Sequence, residues 1–574
     1  MMIRHVIFLI LFVLPAALKC QMASTELIKS QIIPPVLHPI VLSGSFGEIR
    51  PSHFHMGIDI KSSRKYMEDP VVSVADGYIS RIKISPGGYG RSIYIDHPNL
   101  GITTLYAHLD IFDASIESWI NQVQRERMSY MIDTLLTESV FPLKQGDKIG
   151  VLGNTGHSFG PHLHFEIRES KTETPINPFL VGLKSSDVRP PKILSIAVHG
   201  LDSAYFKIHE QRLALKSLTS ISQTEPVIFH VPANQAGVAL HGFDQMDGAE
   251  NKNGIYAIRM YVDDTLKYYY TMDRLDFNES RQVSGFVDYE VHSAKGESFI
   301  LCYTYPGNNL QILRHEGDGC IKLNQDRTRT VRLEALDYDN NVSEVIFYVK
   351  QDSFILKKQN TLAPLVLGPG DSLDIAYKNA RFEFVKGSVY RNLSLDLKDR
   401  KAGNGMSIYS LNKDKEPLKN EFNIYIKPDI PIESWKDKAV ICLLNQKNGK
   451  INLGGSWEGE FLSTVSRELG SFYIMPDTIP PTIIPVDFTA KPTRKKNFVF
   501  KVRDDLPSRH PASDMEWDVW IDDEWVICPM KSMHHRLEIP LSGLKPGRHT
   551  LKIEARDHSG NVALLEKTFN LLKP

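Results

Sequence analysis

Cysteine is scarce in this chain of 574 residues: Cys20, Cys302, Cys320, Cys442 and Cys528 are all there are. No two of them form a CxxC pair, which excludes a cysteine zinc knuckle. An excess of either charge is missing too. The 67 basic and 68 acidic residues leave a formal net charge of −1, so no global field points to nucleic acid or to an anionic membrane. Beyond the N-terminus no run approaches the ~18 apolar residues of a spanning helix, and no transmembrane span is expected in the mature chain. What remains is ordinary globular material, 42% hydrophobic and 24% charged. Its length exceeds what one hydrophobic core serves, which implies three to five domains.

The N-terminus carries its own signal. Arg4 and His5 precede a short apolar run over 6–14, followed by Pro15, Ala16 and Ala17. Basic start, apolar centre and small residues read as a signal peptide over 1–20, and export to the periplasm or cell envelope is the expectation. Lys19 stands just before Cys20, where a lipoprotein signal carries a small residue. Ordinary cleavage is therefore expected, with lipid anchoring at Cys20 as a minor alternative. Export permits disulfides. Cys302 and Cys320 are the close pair in sequence, and two buried free thiols are the competing reading.

Two textures follow. Residues 36–182 are rich in glycine, histidine and short alternating runs. Gly77 to Ile84, Ser92 to Asp96 and Ile102 to Tyr106 read as strands separated by Gly-rich turns. One helix interrupts them, expected from an N-cap at Ser115 to about residue 137. Ile116, Ile120, Val123, Met131 and Leu135 recur at roughly helical spacing. Packing on the sheet edge is the plainer role for it, and a lid over a site the bolder one.

Asp187-Val-Arg-Pro-Pro191 then reads as a linker. Beyond it, short strands predominate, as in β-sandwich (immunoglobulin-like) modules. A weak repeat supports this. Ile258 to Asp264 resembles Trp517 to Asp523, and Leu333 to Asn341 resembles Ile553 to Asn561. The expected division is a first region over 36–182, a β-sandwich region over 190–350, a strand-rich region over 352–478, and a sandwich over 482–574. Asp477-Thr-Ile-Pro-Pro481 reads as the last linker. The fold class is mostly β: an antiparallel domain with one inserted helix, then several β modules.

Chemistry concentrates in three segments of the first region: His55-Met-Gly-Ile-Asp59, Tyr106-Ala-His108, and Gly160-Pro-His162-Leu-His164-Phe-Glu166. Side chains two apart on a strand share a face, so His162 and His164 point the same way. Two such imidazoles can meet one metal ion, or one can bind metal while the other acts on a substrate. His55 and Asp59 add a nitrogen and a carboxylate, and Gly57 between them lets the backbone turn. Zinc accepts these donors in tetrahedral geometry, and three protein ligands leave a fourth position for water.

In these motifs, and in Ala75-Asp-Gly77, Gly88-Tyr-Gly90, Gly146-Asp-Lys-Ile-Gly150, Gly153-Asn-Thr-Gly156 and Asn177-Pro178, the chain resembles the lysostaphin/LytM family of zinc endopeptidases over about 36–182. The resemblance implies one Zn2+ per chain on His55, Asp59 and His164, with His108 and His162 assisting catalysis. It implies hydrolysis of peptide bonds in peptidoglycan by metal-activated water. The tyrosine that many members carry shortly before the first ligand is missing here, and Arg50 and His53 occupy that stretch. A catalytically silent regulator of other wall hydrolases, or a wall-binding scaffold, is the alternative reading. The C-terminal modules are candidate sites for a protein partner.

Overall fold

The computed structural model describes residues 28–29, 31–63, 69–184, 187–215, 226–315, 317–353, 365–403, 405–412, 416–444, 449–509, 515–531 and 535–573. The expected signal peptide over 1–20, with Cys20, lies outside them. The chain is mostly β with antiparallel sheets, as the alternating runs require.

The first region builds twelve short strands and one helix: β1 (Leu42–Gly44), β2 (Ile58–Lys61), β3 (Pro70–Val72), β4 (Gly77–Ile84), β5 (Arg91–His97), β6 (Ile102–Ala107), β7 (Ile111–Phe112), α1 (Ala114–Arg127), β8 (Ile132–Leu135), β9 (Pro142–Leu143), β10 (Lys148–Val151), β11 (His162–Glu169) and β12 (Pro175–Ile176). The main sheet runs β1-β2-β11-β6-β5-β4-β8, and β3-β10-β7 form a second sheet. One pairing matters most. β11 lies antiparallel between β2 and β6, with His164 opposite Asp59 on one side and Ala107 on the other. Three motifs far apart in sequence therefore meet at one end of three adjacent strands.

The inserted helix is shorter than its periodicity predicts. It stops at Arg127 because Met128 enters the left-handed region, φ 43°, and turns its N–H back onto Arg125 and Gln124 carbonyls. Residues 132–135 then form β8 on the edge of β4. Met131 and Leu135 continue the helical spacing by coincidence. As a strand, the segment gains ladder bonds and a bidentate Arg81–Asp133 pair at 2.6 Å. The N-cap is Asp113 rather than Ser115, and its side chain makes no capping bond. Glu117 instead accepts from the Phe112 N–H and pairs with Arg91. Ile116 and Ile120 are buried, Trp119 meets Phe141 edge-on at 5.9 Å, and Tyr130, just beyond the helix, lies 5.8 Å from Trp517. These contacts favour the edge-packing role over the lid.

The repeat takes physical form in the later modules. Strands Ala257–Val262 and Glu516–Ile521 each enter a hairpin through two left-handed aspartates, Asp263 and Asp264 in one and Asp522 and Asp523 in the other. Positive φ at both central residues is a type I′ turn, whose twist matches that of a hairpin. Each of these strands also pairs with the first strand of a long hairpin, Arg329–Leu336 or Gly547–Arg556. In the first copy the sheet holding Lys192–Leu201 and Gln235–Phe243 shares one core with the sheet holding Ala257–Val262 and Arg329–Leu336. Between the copies, two five-stranded sheets close around Phe382, Phe384, Phe422 and Phe472. Cys302, Cys320, Cys442 and Cys528 are buried free thiols, so the close pair forms no disulfide. At the second expected linker, Asp477 is buried within hydrogen bonds from Asn452 and Ser559.

Candidate active site

His55 lies in the loop before β2, Asp59 lies on β2, and His162 and His164 lie on β11. His108 sits one residue past β6, with φ 61°. A non-glycine residue in the left-handed region is costly and held only by its surroundings. Here the His108 N–H donates to Tyr89 O, and Nδ1 lies 2.8 Å from Thr155 O. All five expected site residues thus fall in one cluster.

The hydrogen bonds decide which nitrogen of each ring faces inward. A carbonyl can only accept. The 2.8 Å contact of His55 Nδ1 with Ser45 O therefore puts the proton on Nδ1 and leaves Nε2 a lone pair. His162 Nδ1 on Gly160 O and His108 Nδ1 on Thr155 O follow the same rule. His164 donates from Nε2 to Glu166 Oε1 at 2.8 Å, so its Nδ1 turns inward. The result is a triangle of acceptors. His55 Nε2 lies 3.0 Å from His164 Nδ1 and 3.1 Å from Asp59 Oδ1, and His164 Nδ1 lies 3.0 Å from Asp59 Oδ1. His162 Nε2 stands 3.5 Å from the same carboxylate oxygen.

Such a triangle repels itself unless a positive charge joins it. Tetrahedral ligands on zinc at ~2.0–2.1 Å lie ~3.3 Å apart, close to the spacing found. Two nitrogens and one carboxylate, with the remaining ring nitrogens tied to a carbonyl and a carboxylate, fit a zinc ion. Without an ion, a proton on His164 Nδ1 supplies that positive charge and donates to Asp59. Burial opposes charge on His164, but its bonds to Asp59 and Glu166 outweigh that and push its pKa up to about 9. Asp59 is held well below the usual carboxylate range, because the His55 and His164 interactions overcome burial. Burial lowers His55 and His162. Burial with the neighbouring His162 and His164 lowers His108 to about 3.

Several partners of this cluster had no role assigned from sequence. Glu166 is fully buried on the same face of β11 as His164. It takes bonds from His164, from Arg168 Nε at 2.8 Å and from the Tyr89 hydroxyl. The signal was there: Glu166 and Arg168 extend the alternation of His162 and His164 by two more steps. Tyr89 has its ring 5.2 Å from His164, although its place in the sequence is not that of the missing tyrosine. Arg50 donates to Asp59 Oδ2 at 2.8 Å, leaving Oδ1 for the cluster. His53 is exposed and outside it. Gly57 is needed for space rather than for a turn: a Cβ there would stand 2.5 Å from Phe165 O and 3.0 Å from His164 Cε1. His97 is a core residue, bonded to Asp76 O and Thr104.

Two stretches of the chain are similar to known families. The description of peptidase family M23 matches residues 53–125 and 127–178, and that of the Zu5-like domain matches residues 372–477. A DD-carboxypeptidase/endopeptidase Mpg of Neisseria meningitidis serogroup B (strain ATCC 13091 / M2091) is 35% identical over 134 residues, 23% of this chain and 24% of that protein. An uncharacterized metalloprotease of Haemophilus influenzae is 30% identical over 146 residues, 25% of this chain and 23% of that one. The catalytic domain of lysostaphin from Staphylococcus simulans is 23% identical, covers 24% of this chain and 88% of that chain, and superposes with a TM-score of 0.18. The chain spans about a quarter of the length of the curated relatives it matches. Residues 53–178, which hold the HxxxD and HxH motifs folded into one cluster, are thus the stretch that is similar to peptidase family M23.

Proposed function

We propose that this protein is an exported, zinc-dependent endopeptidase that hydrolyses peptide bonds in peptidoglycan. The observation that carries the reading is the triangle of acceptor atoms, His55 Nε2, Asp59 Oδ1 and His164 Nδ1, each held in place by a partner outside it. These three residues would hold the zinc. When bound, zinc supplies a Lewis acid that polarises a carbonyl and lowers the pKa of water toward neutrality.

The chain's own groups do the rest. His108 and His162 both keep Nδ1–H on a backbone carbonyl, so each presents Nε2 as a proton acceptor. Their rings stand 4.8 Å apart. Burial holds both neutral at pH 7, the form a general base requires. His162 is the less enclosed of the two, and we assign it the proton taken from water and returned to the leaving amine. His108, beside it, steadies the substrate. Glu166 and Arg50 are positioning residues, acting through His164 and Asp59.

The test is release of soluble muropeptides from purified peptidoglycan by the zinc-supplemented mature chain, followed by mass spectrometry. The name of the Neisseria relative, a DD-carboxypeptidase/endopeptidase, makes bonds between D-amino acids the first to examine. Cleaved fragments from the wild type, with silence from His164→Ala and from a chelator-treated sample, support the reading. A chain that binds no zinc and releases nothing refutes it, and the regulator or scaffold reading takes its place.

A further inference from the structure

We propose that Asp187, Asp244 and Asp337 bind a calcium ion that fastens the segment leaving the peptidase domain to the sandwich that follows it. The three carboxylates each offer an oxygen within 4.8 Å of the others. They come from three places in the chain. Asp187 opens the Asp-Val-Arg-Pro-Pro segment, Asp244 follows strand Gln235–Phe243, and Asp337 begins the turn between Arg329–Leu336 and Val342–Gln351. An all-oxygen set of this charge suits a hard cation, and calcium, which sheds its waters more readily and accepts more varied coordination than magnesium, suits a set of protein carboxylates better.

Acidic side chains gather on many proteins without an ion, but here two observations point to a ligand. The first is Asp244 itself. It is 8% exposed, and its Oδ1 is buried with no hydrogen-bond partner among the described residues. Burial raises its pKa to about 7, and the side-chain charges acting most on it are the carboxylates of Asp337, Asp187 and Asp339, all of which add to the rise. A buried anion facing other anions needs a counter-charge or a proton.

The second observation is the other copy of the repeat, which meets the same problem differently. Lys192 pairs with Phe243, and Thr482 pairs with Arg503, so Asp244 and Asp504 each stand one residue past the pairing. Asn341 Nδ2 donates to Asp187 O, and Asn561 Nδ2 donates to Asp477 O. Asp477, Asp504 and Asp557 are thus the counterparts of Asp187, Asp244 and Asp337. In the first copy the Arg189 and Asp247 N–H groups reach Asp187 Oδ1 and Asn341 reaches both Asp337 oxygens, which leaves Asp244 Oδ1 as the buried oxygen without a donor among the described residues. In the second copy Asn452 Nδ2 and Ser559 Oγ both bond Asp477 Oδ2, at 2.9 and 2.6 Å, and the Leu506 N–H reaches Asp504 Oδ1. Where Ser559 supplies a hydroxyl, the first copy has Asp339, one more carboxylate. The substitution adds negative charge where the second copy adds a donor. Calcium does for Asp244 Oδ1 what the Leu506 N–H does for Asp504 Oδ1.

The experiment uses the full mature chain, passed over chelating resin at pH 7.5, reloaded with zinc alone, and then given Ca2+ or Mg2+ up to ~5 mM, a range that covers weak calcium modules. Thermal unfolding and Tb3+ luminescence, sensitised through the neighbouring Tyr338, are read together. Ca2+ is expected to raise the melting temperature more than Mg2+ does. Asp244→Asn is expected to lose that rise and to weaken Tb3+ binding by more than about ten-fold. The order of stabilities should also invert. Without calcium Asp244→Asn melts above wild type, because a repelled buried charge is gone; with calcium it melts below. Asp187→Asn, at a half-exposed position, repeats the loss if the first variant folds poorly, and Asp504→Asn keeps the calcium response. A wild-type melting temperature unmoved by Ca2+, or a calcium response equally large in Asp244→Asn, overturns the proposal.

Discussion

Replacing Glu166 by glutamine tests whether the cluster is organised from behind. The swap keeps size and shape and removes one charge. Two consequences separate. On one side, Glu166 no longer compels His164 to donate from Nε2, because an amide presents either an oxygen or an N–H at the 2.8 Å contact. Imidazole whose Nδ1 is not reserved for the metal is a poorer ligand. Loss of such a carboxylate partner lowers metal affinity by about 10- to 100-fold, or ~1.4–2.8 kcal/mol. On the other side, Arg168 loses its ion pair, 2.7 Å long and with the arginine side chain 8% exposed. Breaking a buried pair costs about 3–5 kcal/mol. The lower end applies, since Arg168 still lies over the rings of Tyr94 and Phe277 at 5.5 and 4.6 Å. Zinc competition against a chromophoric chelator measures the first effect, and denaturant unfolding of the zinc-free chain the second. Arg168→Met is the control: it should lose stability and keep zinc affinity within about three-fold, because Glu166 still holds His164. If Glu166→Gln binds zinc as tightly as wild type, the carboxylate does not set the histidine and the reasoning fails.

Three further outcomes are expected. Gly57→Ala drives a Cβ to 2.5 Å from the Phe165 carbonyl, a backbone atom that cannot step aside. Destabilisation of at least ~1–3 kcal/mol, with loss of zinc, should appear in unfolding and metal content. Ile120→Ala, at a fully buried helix position, should cost ~2–5 kcal/mol while leaving peptidase activity per folded molecule unchanged; a rise in that activity would favour the lid. Finally, the raised pKa of Asp244, about 7 in the fold against 3.8 as the reference, predicts a pH effect of definite sign. Between those values the folded state binds a proton that the unfolded state does not. In calcium-free buffer this group's contribution is therefore fully present below ~pH 4 and falls by ~1.4 kcal/mol per unit as pH rises toward 7. The slope difference between wild type and Asp244→Asn isolates it.

Much of the site was legible because its spacing is local. On a strand, period two puts His162, His164, Glu166 and Arg168 on one face whatever surrounds them. The same rule marked Gly77–Ile84 and its neighbours as strands, and the likeness of Ile258–Asp264 to Trp517–Asp523 marked a repeated module. Local rules also misled. Met131 and Leu135 fit a helical stripe as readily as a strand, and only the open edge of β4 decided between them. Asp187 and Asp477 read as linker starts because proline follows them, and in the fold each backbone carbonyl accepts from an asparagine far along the chain.

By itself, then, the sequence determined the β class, the three histidine-bearing segments and the existence of a repeated module, because these depend on backbone period and residue chemistry alone. The tertiary structure decided what the motifs face. Register placed His164 against Asp59 across 105 residues. Packing turned Gly57 from a flexible joint into a gap that must stay empty, and the fold brought Arg50, Tyr89 and Glu166 behind the ligands. No periodicity encodes such meetings, since each depends on which strand pairs with which and at what register.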